Sequence, residues 1–168
     1  FNCVTRLMQQ YDLTTREIFD TEKQYLDIQA AIGKPEKFES WILGVSFRIH
    51  EGINRERDNT TKKVILEARR YVENHYQDPS LSVEMICREL HMSPAYFSTM
   101  FRKVTGQTYI AYLTEVRLQK AVELLNETDD KTYVIAQKVG YQEQNYFSYV
   151  FKKRFGISPT KYRGTQNG

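Results

Sequence analysis

The same eleven-residue pattern occurs twice in this chain, and this duplication constrains the fold more than any other feature. Residues 96–106 read YFSTMFRKVTG, and residues 146–156 read YFSYVFKKRFG. The two copies agree at seven positions, in the pattern Y-F-S-x-x-F-[RK]-K-x-x-G, at an offset of 50 residues. Upstream, residues 86–90 match residues 135–139 at an offset of 49, so the second copy holds one more residue between its two segments. A supersecondary unit has therefore been used twice.

Local start and stop signals predict a short helix, a tight turn and a longer helix in each copy, which is the order of a helix-turn-helix unit. Serine and threonine accept hydrogen bonds from the unpaired amides of a helix start, and proline suits the first helical position. Glycine commonly ends a helix. The expected start and stop residues are Ser82, Ser93 and Gly106 in the first copy, and Thr132, Glu143 and Gly156 in the second.

The sequence as a whole predicts an all-α fold. Only 8 Gly and 4 Pro occur in 168 residues, and we find no alternating strand pattern. Two tandem helix-turn-helix units, at about 82–106 and 132–156, are joined by a long connecting helix at about 108–125. Some 18 residues span roughly 27 Å, and successive major-groove faces lie about 34 Å apart. With a unit at each end, one chain is long enough to place two recognition helices in adjacent major grooves.

The longer helix of each copy is predicted to bury one face and to present the other. Apolar residues at helical spacing are expected in the core: Phe97, Met100, Phe101 and Val104, and then Phe147, Val150, Phe151 and Phe155. The opposite face carries small or hydrogen-bonding side chains suited to base edges: Ala95, Ser98, Thr99, Gln144, Asn145, Ser148 and Tyr149. Cations suited to phosphates follow toward the C-terminal end: Arg102, Lys103, Lys152 and Lys153.

The charge distribution supports the same interpretation. Residues 1–63 carry ten basic and ten acidic side chains, whereas residues 64–168 carry fourteen basic and eleven acidic ones. Within the second part, the segments 94–106 and 146–156 contain basic residues and no Asp or Glu. Local charge of one sign on selected helices is favourable for binding a phosphate backbone.

The N-terminal third is predicted to be helical. Three residues are spaced for one helix face: Tyr25, Ile28 and Ile32. Five more are spaced for a second helix: Phe38, Trp41, Ile42, Val45 and Ile49. The polar run 55–63, RERDNTTKK, is expected to be a linker before a third helix that stops ahead of Asp78-Pro79. The stripe formed by Trp41, Ile42, Val45 and Ile49 needs a cover, either the second part of the chain or a second copy of it.

At this point the residues resemble the AraC/XylS family. The matching segments of the second copy are Ile135-Ala136, Val139-Gly140-Tyr141, Tyr146-Phe147-Ser148, Phe151-Lys152-Lys153, Phe155-Gly156, Ser158-Pro159 and Tyr162-Arg163. The first copy and the connecting helix match at residues 92–98 and 101–103 and at Arg117, Leu118, Ala121, Leu124 and Leu125. Cys87 stands where Ala is usual in the family, which a small core site tolerates.

The resemblance implies a domain organisation and a set of partners. Residues 64–163 would form an AraC-type DNA-binding domain, and residues 1–60 are similar to the helical region that precedes this domain in YesN-like response regulators. Members are transcription regulators, mostly activators, that read adjacent major grooves of a double-stranded operator. The expected partners are operator DNA, RNA polymerase and a second copy bound through the N-terminal helices. No membrane span or signal peptide is found, so a cytoplasmic bacterial location is expected. Phe1 is not an initiator Met, which indicates a fragment of a longer protein.

The sequence leaves three alternatives. Tyr96, Phe97, Tyr146 and Phe147 are also compatible with base stacking in a single-strand binder, although their spacing favours core packing for the phenylalanines. A helical module that binds RNA or protein is the second alternative. An enzyme is the third, but the histidines and the two cysteines have no metal-ligand spacing, and no nucleophile elbow, P-loop or dinucleotide fingerprint occurs. No cofactor and no metal is expected.

Overall fold

The computed structural model describes residues 2–19 and 34–166, and every regular element within those ranges is a helix. The helices are α1 (Asn2–Gln10), α2 (Thr15–Ile18), α3 (Pro35–His75), α4 (Val83–Glu89), α5 (Pro94–Thr105), α6 (Tyr109–Glu127), α7 (Thr132–Lys138), α8 (Gln144–Phe155) and α9 (Pro159–Gln166). The all-α prediction is confirmed for these residues. The chain divides into two compact units, Phe1–Lys63 and Val64–Gly168, and α3 contributes residues to both.

Most helices of the second unit begin and end at the residues that the sequence indicates. The hydroxyl oxygens of Ser82, Ser93 and Thr108 accept the backbone N–H groups three residues later, at 3.4, 3.4 and 3.2 Å. Gly106 and Gly156 adopt left-handed backbone angles at the ends of α5 and α8. These bonds satisfy groups that a helix end otherwise leaves unpaired.

The predicted cap of α7 is wrong by one residue. Lys131 precedes α7 in extended conformation and makes no side-chain capping bond, and Thr132 is the first helical residue. The Thr132 hydroxyl instead lies 3.4 Å from that of Thr160, the residue after the proline that starts α9. A contact with a helix that is distant in the sequence has therefore replaced the local cap.

Two aromatic cores lie behind the two helix-turn-helix units. The first contains Phe97 and Phe101 together with Ile65, Ala68 and Val72 of α3 and the beginning of α6. The second contains Phe147 and Phe151 together with Leu118, Ala121 and Leu125 from the remainder of α6. All four phenylalanines have no exposed surface, as predicted. The connecting helix α6 therefore contributes its first half to the first core and its second half to the second core.

The flanking core predictions are confirmed except at one position. Met100, Val150 and Phe155 are partly buried against their cores, but Val104 is 41% exposed. In the last turn of α5 the inward position belongs to Thr105, four residues after Phe101, and its hydroxyl donates to the Phe101 carbonyl at 2.7 Å. Phe101 lies in the last turns of α5, near the edge of the core, and Val104, three residues later, is therefore exposed to solvent.

In the first unit, residues 2–19 and part of α3 form a small core of their own. Its buried members are Ile18, Val45 and Ile49, and partly buried side chains pack around them, namely Val4, Leu7, Met8, Leu13, Phe19, Trp41 and Ile53. The Arg48 Nε donates to the Ile18 carbonyl at 2.7 Å and ties α2 to α3. The cover of Trp41, Val45 and Ile49 therefore comes from α1 and α2, and neither of the two covers expected from the sequence is needed for these residues.

The predicted linker at residues 55–63 is wrong, because these residues belong to the uninterrupted helix α3. The run contains no Gly or Pro, so polar side chains alone did not break the helix. The Thr61 hydroxyl donates to the Arg57 carbonyl at 2.7 Å, within the helix itself. The predicted helix face of Tyr25, Ile28 and Ile32 lies outside the described residues. No helix within residues 2–19 and 34–166 combines the length and the apolar character that a membrane span requires.

Candidate nucleic-acid interface

The helix α5 presents the first of the two predicted reading faces. Ala95, Ser98 and Thr99 are exposed along it, on the side opposite the buried Phe97 and Phe101. The Thr99 hydroxyl donates to the Ala95 carbonyl at 3.0 Å, which leaves its oxygen available as an acceptor. The face is therefore short-chained and polar, and a base pair could approach it closely.

The helix α8 presents the second face with longer side chains. Gln144, Asn145 and Tyr149 are exposed, and Tyr149 has 63% of its surface open to solvent. Ser148 is half-buried, so its hydroxyl sits lower on the face than its neighbours. Amide side chains can offer a donor and an acceptor together, which is the arrangement that reads an adenine edge.

The predicted cations lie on the last turns of the two helices. Arg102 and Lys103 in α5, and Lys152 and Lys153 in α8, are all exposed. Arg154 follows them in α8, but its guanidinium bonds Glu115 of α6 at 3.1 Å. That pair is solvent-exposed, and such pairs are weak enough to exchange for other partners.

The burial of Phe97 and Phe147 removes two of the four aromatic side chains on which the single-strand alternative rests. Phe97 and Phe147 have no exposed surface, so their rings cannot stack on bases. The ring centroids of Phe97 and Phe101 lie 5.5 Å apart, and those of Phe147 and Phe151 lie 5.8 Å apart. Each ring pair lies within one helix and packs that helix onto its own core. Tyr96 and Tyr146 are 55% and 58% exposed.

The structure adds a candidate that the sequence-based reasoning missed. Glu143 is exposed at the N-cap of α8 and makes no side-chain capping bond. Glu143 immediately precedes Gln144 and Asn145 in the sequence, at the end of the helix that contacts base edges in helix-turn-helix proteins. Its position just before α8 was the available signal, but it was interpreted only as a helix start.

The turn between the helices differs between the two units as the sequence predicts. Four residues, 90–93, separate α4 from α5, and five residues, 139–143, separate α7 from α8. His91 and Gly140 are the left-handed residues of these turns, with φ angles of 52° and 87°. The extra residue therefore lies after the left-handed position, next to the start of α8.

Comparisons with known proteins agree with this geometry. A family model described as a helix-turn-helix domain matches residues 86–165. The solved C-terminal domain of AraT, a response regulator from Geobacillus stearothermophilus, is 40% identical, and the match covers 61% of this chain and 84% of that domain with a TM-score of 0.60. The solved DNA-binding domain of AdpA, a global transcriptional factor in complex with a target DNA, is 25% identical with a TM-score of 0.58, over 60% of this chain and 90% of that one.

Among curated proteins, the arabinose operon regulatory protein of Escherichia coli (strain K12) is 30% identical over 125 residues, which are 74% of this chain and 41% of that protein. The chain spans less than half the length of such relatives. The duplicated helix-turn-helix units, the signature residues and the 40% identity across most of a solved domain lead to one conclusion: the chain belongs to the AraC/XylS family.

Proposed function

We propose that this chain is a bacterial transcription regulator that binds a specific double-stranded DNA sequence, with α5 and α8 in adjacent major grooves. One observation carries the proposal. The helices α5 and α8 each bury a pair of phenylalanines, and each exposes polar side chains along the opposite face and cations at its last turn. Phosphate contacts orient a protein on DNA and base-edge contacts select the sequence, and each helix offers groups for both.

The connecting helix supports placement in adjacent grooves. The 19 residues of α6 span roughly 28 Å at about 1.5 Å each. The two units at its ends add to this length, and successive major grooves on one face of B-DNA are about 34 Å apart. A binder of single strands needs exposed aromatic platforms. Of the four aromatic side chains that suggested this alternative, Phe97 and Phe147 are buried, and only Tyr96 and Tyr146 are exposed.

The proposed role is binding rather than catalysis, because the matched family model describes a helix-turn-helix domain and the similar AdpA domain is solved in complex with a target DNA. By the family resemblance we propose a cytoplasmic activator that contacts RNA polymerase. The AdpA complex with DNA supports a DNA partner for the domain.

We predict opposite signatures for a base-reading and a phosphate-binding side chain of α8. Asn145→Ala should relax specificity at one base pair, with a loss of about 1–3 kcal/mol on the preferred sequence only, because an amide pair to a base edge is lost. Thr99→Ala should do the same at a separate position. Lys152→Ala should weaken binding to all sequences alike and lower the salt slope by about 1.

The measurement is a fluorescence-anisotropy titration of each variant on the selected site and on its single-base variants, at several salt concentrations. Lys152→Ala is the matched control because it lies on the same helix and is equally exposed. Uniform weakening by Asn145→Ala and Thr99→Ala would remove both residues from the base-reading set.

We further propose that the first unit pairs with a second copy of this chain. Four apolar side chains of α3 remain exposed by 42–64%, at successive spacings of four, one and four residues: Phe38, Ile42, Leu43 and Phe47. Residues 1–63 carry equal numbers of basic and acidic side chains, so two copies meet without net repulsion. An exposed apolar stripe of this kind is typical of a protein interface.

Replacing Leu43 and Phe47 with glutamate should therefore abolish cooperative binding to paired DNA sites and leave binding to a single site unchanged. Gel-shift titrations on one-site and two-site DNA, with sedimentation to measure mass, test this. Replacing both Asn59 and Thr60 with glutamate is the control, because it adds the same two negative charges at exposed positions roughly 18–20 Å farther along α3. Identical two-site curves for the double variant and the unaltered chain would rule out the stripe as the dimer contact.

A further inference from the structure

The side chain of Arg117 lies at the middle of α6 and is only 9% exposed. Its Nε donates to the Tyr76 carbonyl at 2.9 Å, and its Nη2 donates to the Asp78 carbonyl at 2.8 Å. Both acceptors belong to the segment between α3 and α4, immediately before the first helix-turn-helix unit. The guanidinium fork therefore fastens the connecting helix to the base of the first unit.

The same guanidinium also contacts the turn of the second unit. Its central carbon lies 5.4 Å from the centroid of the Tyr141 ring, within the range of a cation–π contact. A Cβ built on Gly140 would clash with the Tyr76 carbonyl oxygen and would lie 2.9 Å from both Nε and Nη2 of Arg117. The backbone of the second turn thus packs directly against Arg117 and the loop that Arg117 holds. We call the group of Tyr76, Arg117, Gly140 and Tyr141 the joint.

The turn of the first helix-turn-helix unit does not exclude a side chain at the equivalent position. His91 occupies the left-handed position that Gly140 occupies in the second unit, and its side chain is exposed. A Cβ is therefore accepted at one turn and excluded at the other, although the two units are copies. A helix-turn-helix turn therefore does not in itself require glycine at this position. The requirement at Gly140 comes from the joint, where the two helix-turn-helix units contact each other.

A second arginine supplies a built-in comparison. Arg163 of α9 donates from Nε to the Leu125 carbonyl at 3.3 Å and from Nη2 to the Asp130 carbonyl at 2.7 Å. It fastens α9 to the end of α6 and to the segment before α7, whereas both acceptors of Arg117 lie in the segment between α3 and α4. Both acceptors of Arg163 lie beside the second helix-turn-helix unit, whereas Arg117 contacts the segment before the first unit and the turn of the second. The two arginines both bind backbone carbonyls, but only Arg117 belongs to the joint.

We propose that Arg117 is a positioning residue for DNA recognition, which sets the distance and angle between α5 and α8 and so selects the spacing of the two half-sites. This inference rests on the proposed DNA-binding function. One additional base pair between half-sites moves the second by about 3.4 Å and turns it by roughly 34°. A rigid joint rejects such a site, whereas a connection held by α6 alone bends or twists to accept it.

The experiment measures the affinity of the full chain for duplexes that hold the selected half-sites at the preferred spacing and with one base pair added or removed. For the unaltered chain we expect the affinity at the preferred spacing to exceed the affinity at the altered spacings by roughly tenfold or more. This affinity ratio corresponds to about 1.4 kcal/mol. Arg117→Gln should reduce this ratio to about threefold or less. Arg163→Gln, the matched control, should weaken binding at every spacing and keep the ratio of the unaltered chain.

An unchanged ratio in Arg117→Gln would overturn the inference, and so would an equal loss of ratio in Arg163→Gln, because the effect would then be a general loosening. Circular dichroism establishes that each variant is folded. If Arg117→Gln does not fold, Arg117→Lys serves instead, since it keeps the charge and loses the fork, and an undiminished ratio in that variant overturns the inference. Failure of the unaltered chain to prefer any duplex sequence would contradict the proposed function itself.

Discussion

Replacing Phe101 or Phe151 with alanine should lower the free energy of unfolding by about 3–5 kcal/mol in each case. Both rings have no exposed surface. Phe101 packs against the rings of Phe97, Tyr109 and Tyr112, with centroids 5.5, 6.0 and 5.7 Å away. Phe151 packs against Phe147, Phe155 and Tyr162 at 5.8, 4.5 and 5.5 Å. Truncation leaves a cavity that the neighbouring rings, fixed in α5 and α6 or in α8 and α9, cannot close.

Each substitution should damage one half of the DNA footprint more than the other, because the two rings belong to separate cores. Urea unfolding gives the stability of each variant, and footprinting gives the two halves. Val104→Ala is the control in the same helix as Phe101, since Val104 is 41% exposed and should cost little. Unfolding midpoints that match the unaltered chain would contradict the core assignment.

Alanine at Gly140 should destabilise the chain more than alanine at either of two other left-handed glycines. Gly106, Gly140 and Gly156 have φ angles of 78°, 87° and 81°, so each substitution incurs the left-handed penalty of roughly 1–2 kcal/mol. At Gly106 and Gly156 an added Cβ meets nothing within 4 Å. At Gly140 it meets the backbone oxygen of Tyr76, and overpacking of this kind adds about 1–3 kcal/mol.

The comparison of the three variants separates the two causes, because backbone strain is common to all of them. Thermal or urea unfolding of the three chains under one set of conditions is sufficient. Equal losses at Gly106, Gly140 and Gly156 would mean that the second turn can move away from Tyr76, and the joint would then not be rigid.

The repeated core and most helix ends could be predicted from the sequence because they depend on local signals. The buried phenylalanines follow from helical spacing, and Ser82, Ser93, Gly106 and Gly156 act through bonds to residues within four positions. The exposure of Asn145 and Thr99 follows from the same spacing. Duplication strengthened these predictions, since each copy was an independent instance of one pattern.

The features that could not be predicted depend on contacts that are distant in the sequence. The joint brings Tyr76, Arg117 and Gly140 together across some 64 positions, and neither periodicity nor capping indicates such a pairing. The cover of Val45 and Ile49 comes from Ile18, on a helix of only four residues. The wrong prediction of a linker at residues 55–63 has another cause. The polar side chains of this run suggested a linker, whereas the absence of Gly and Pro favoured the helix that the structure shows.

A hydroxyl-radical footprint of the chain on a duplex selected from random sequence tests the central claim most directly. Two recognition helices in adjacent major grooves should protect two patches about one helical turn apart, on the same face of the duplex. Protection should weaken steeply as salt rises, since Arg102, Lys103, Lys152 and Lys153 are proposed to contact phosphates. A single protected patch, or uniform protection along the duplex, would contradict the account.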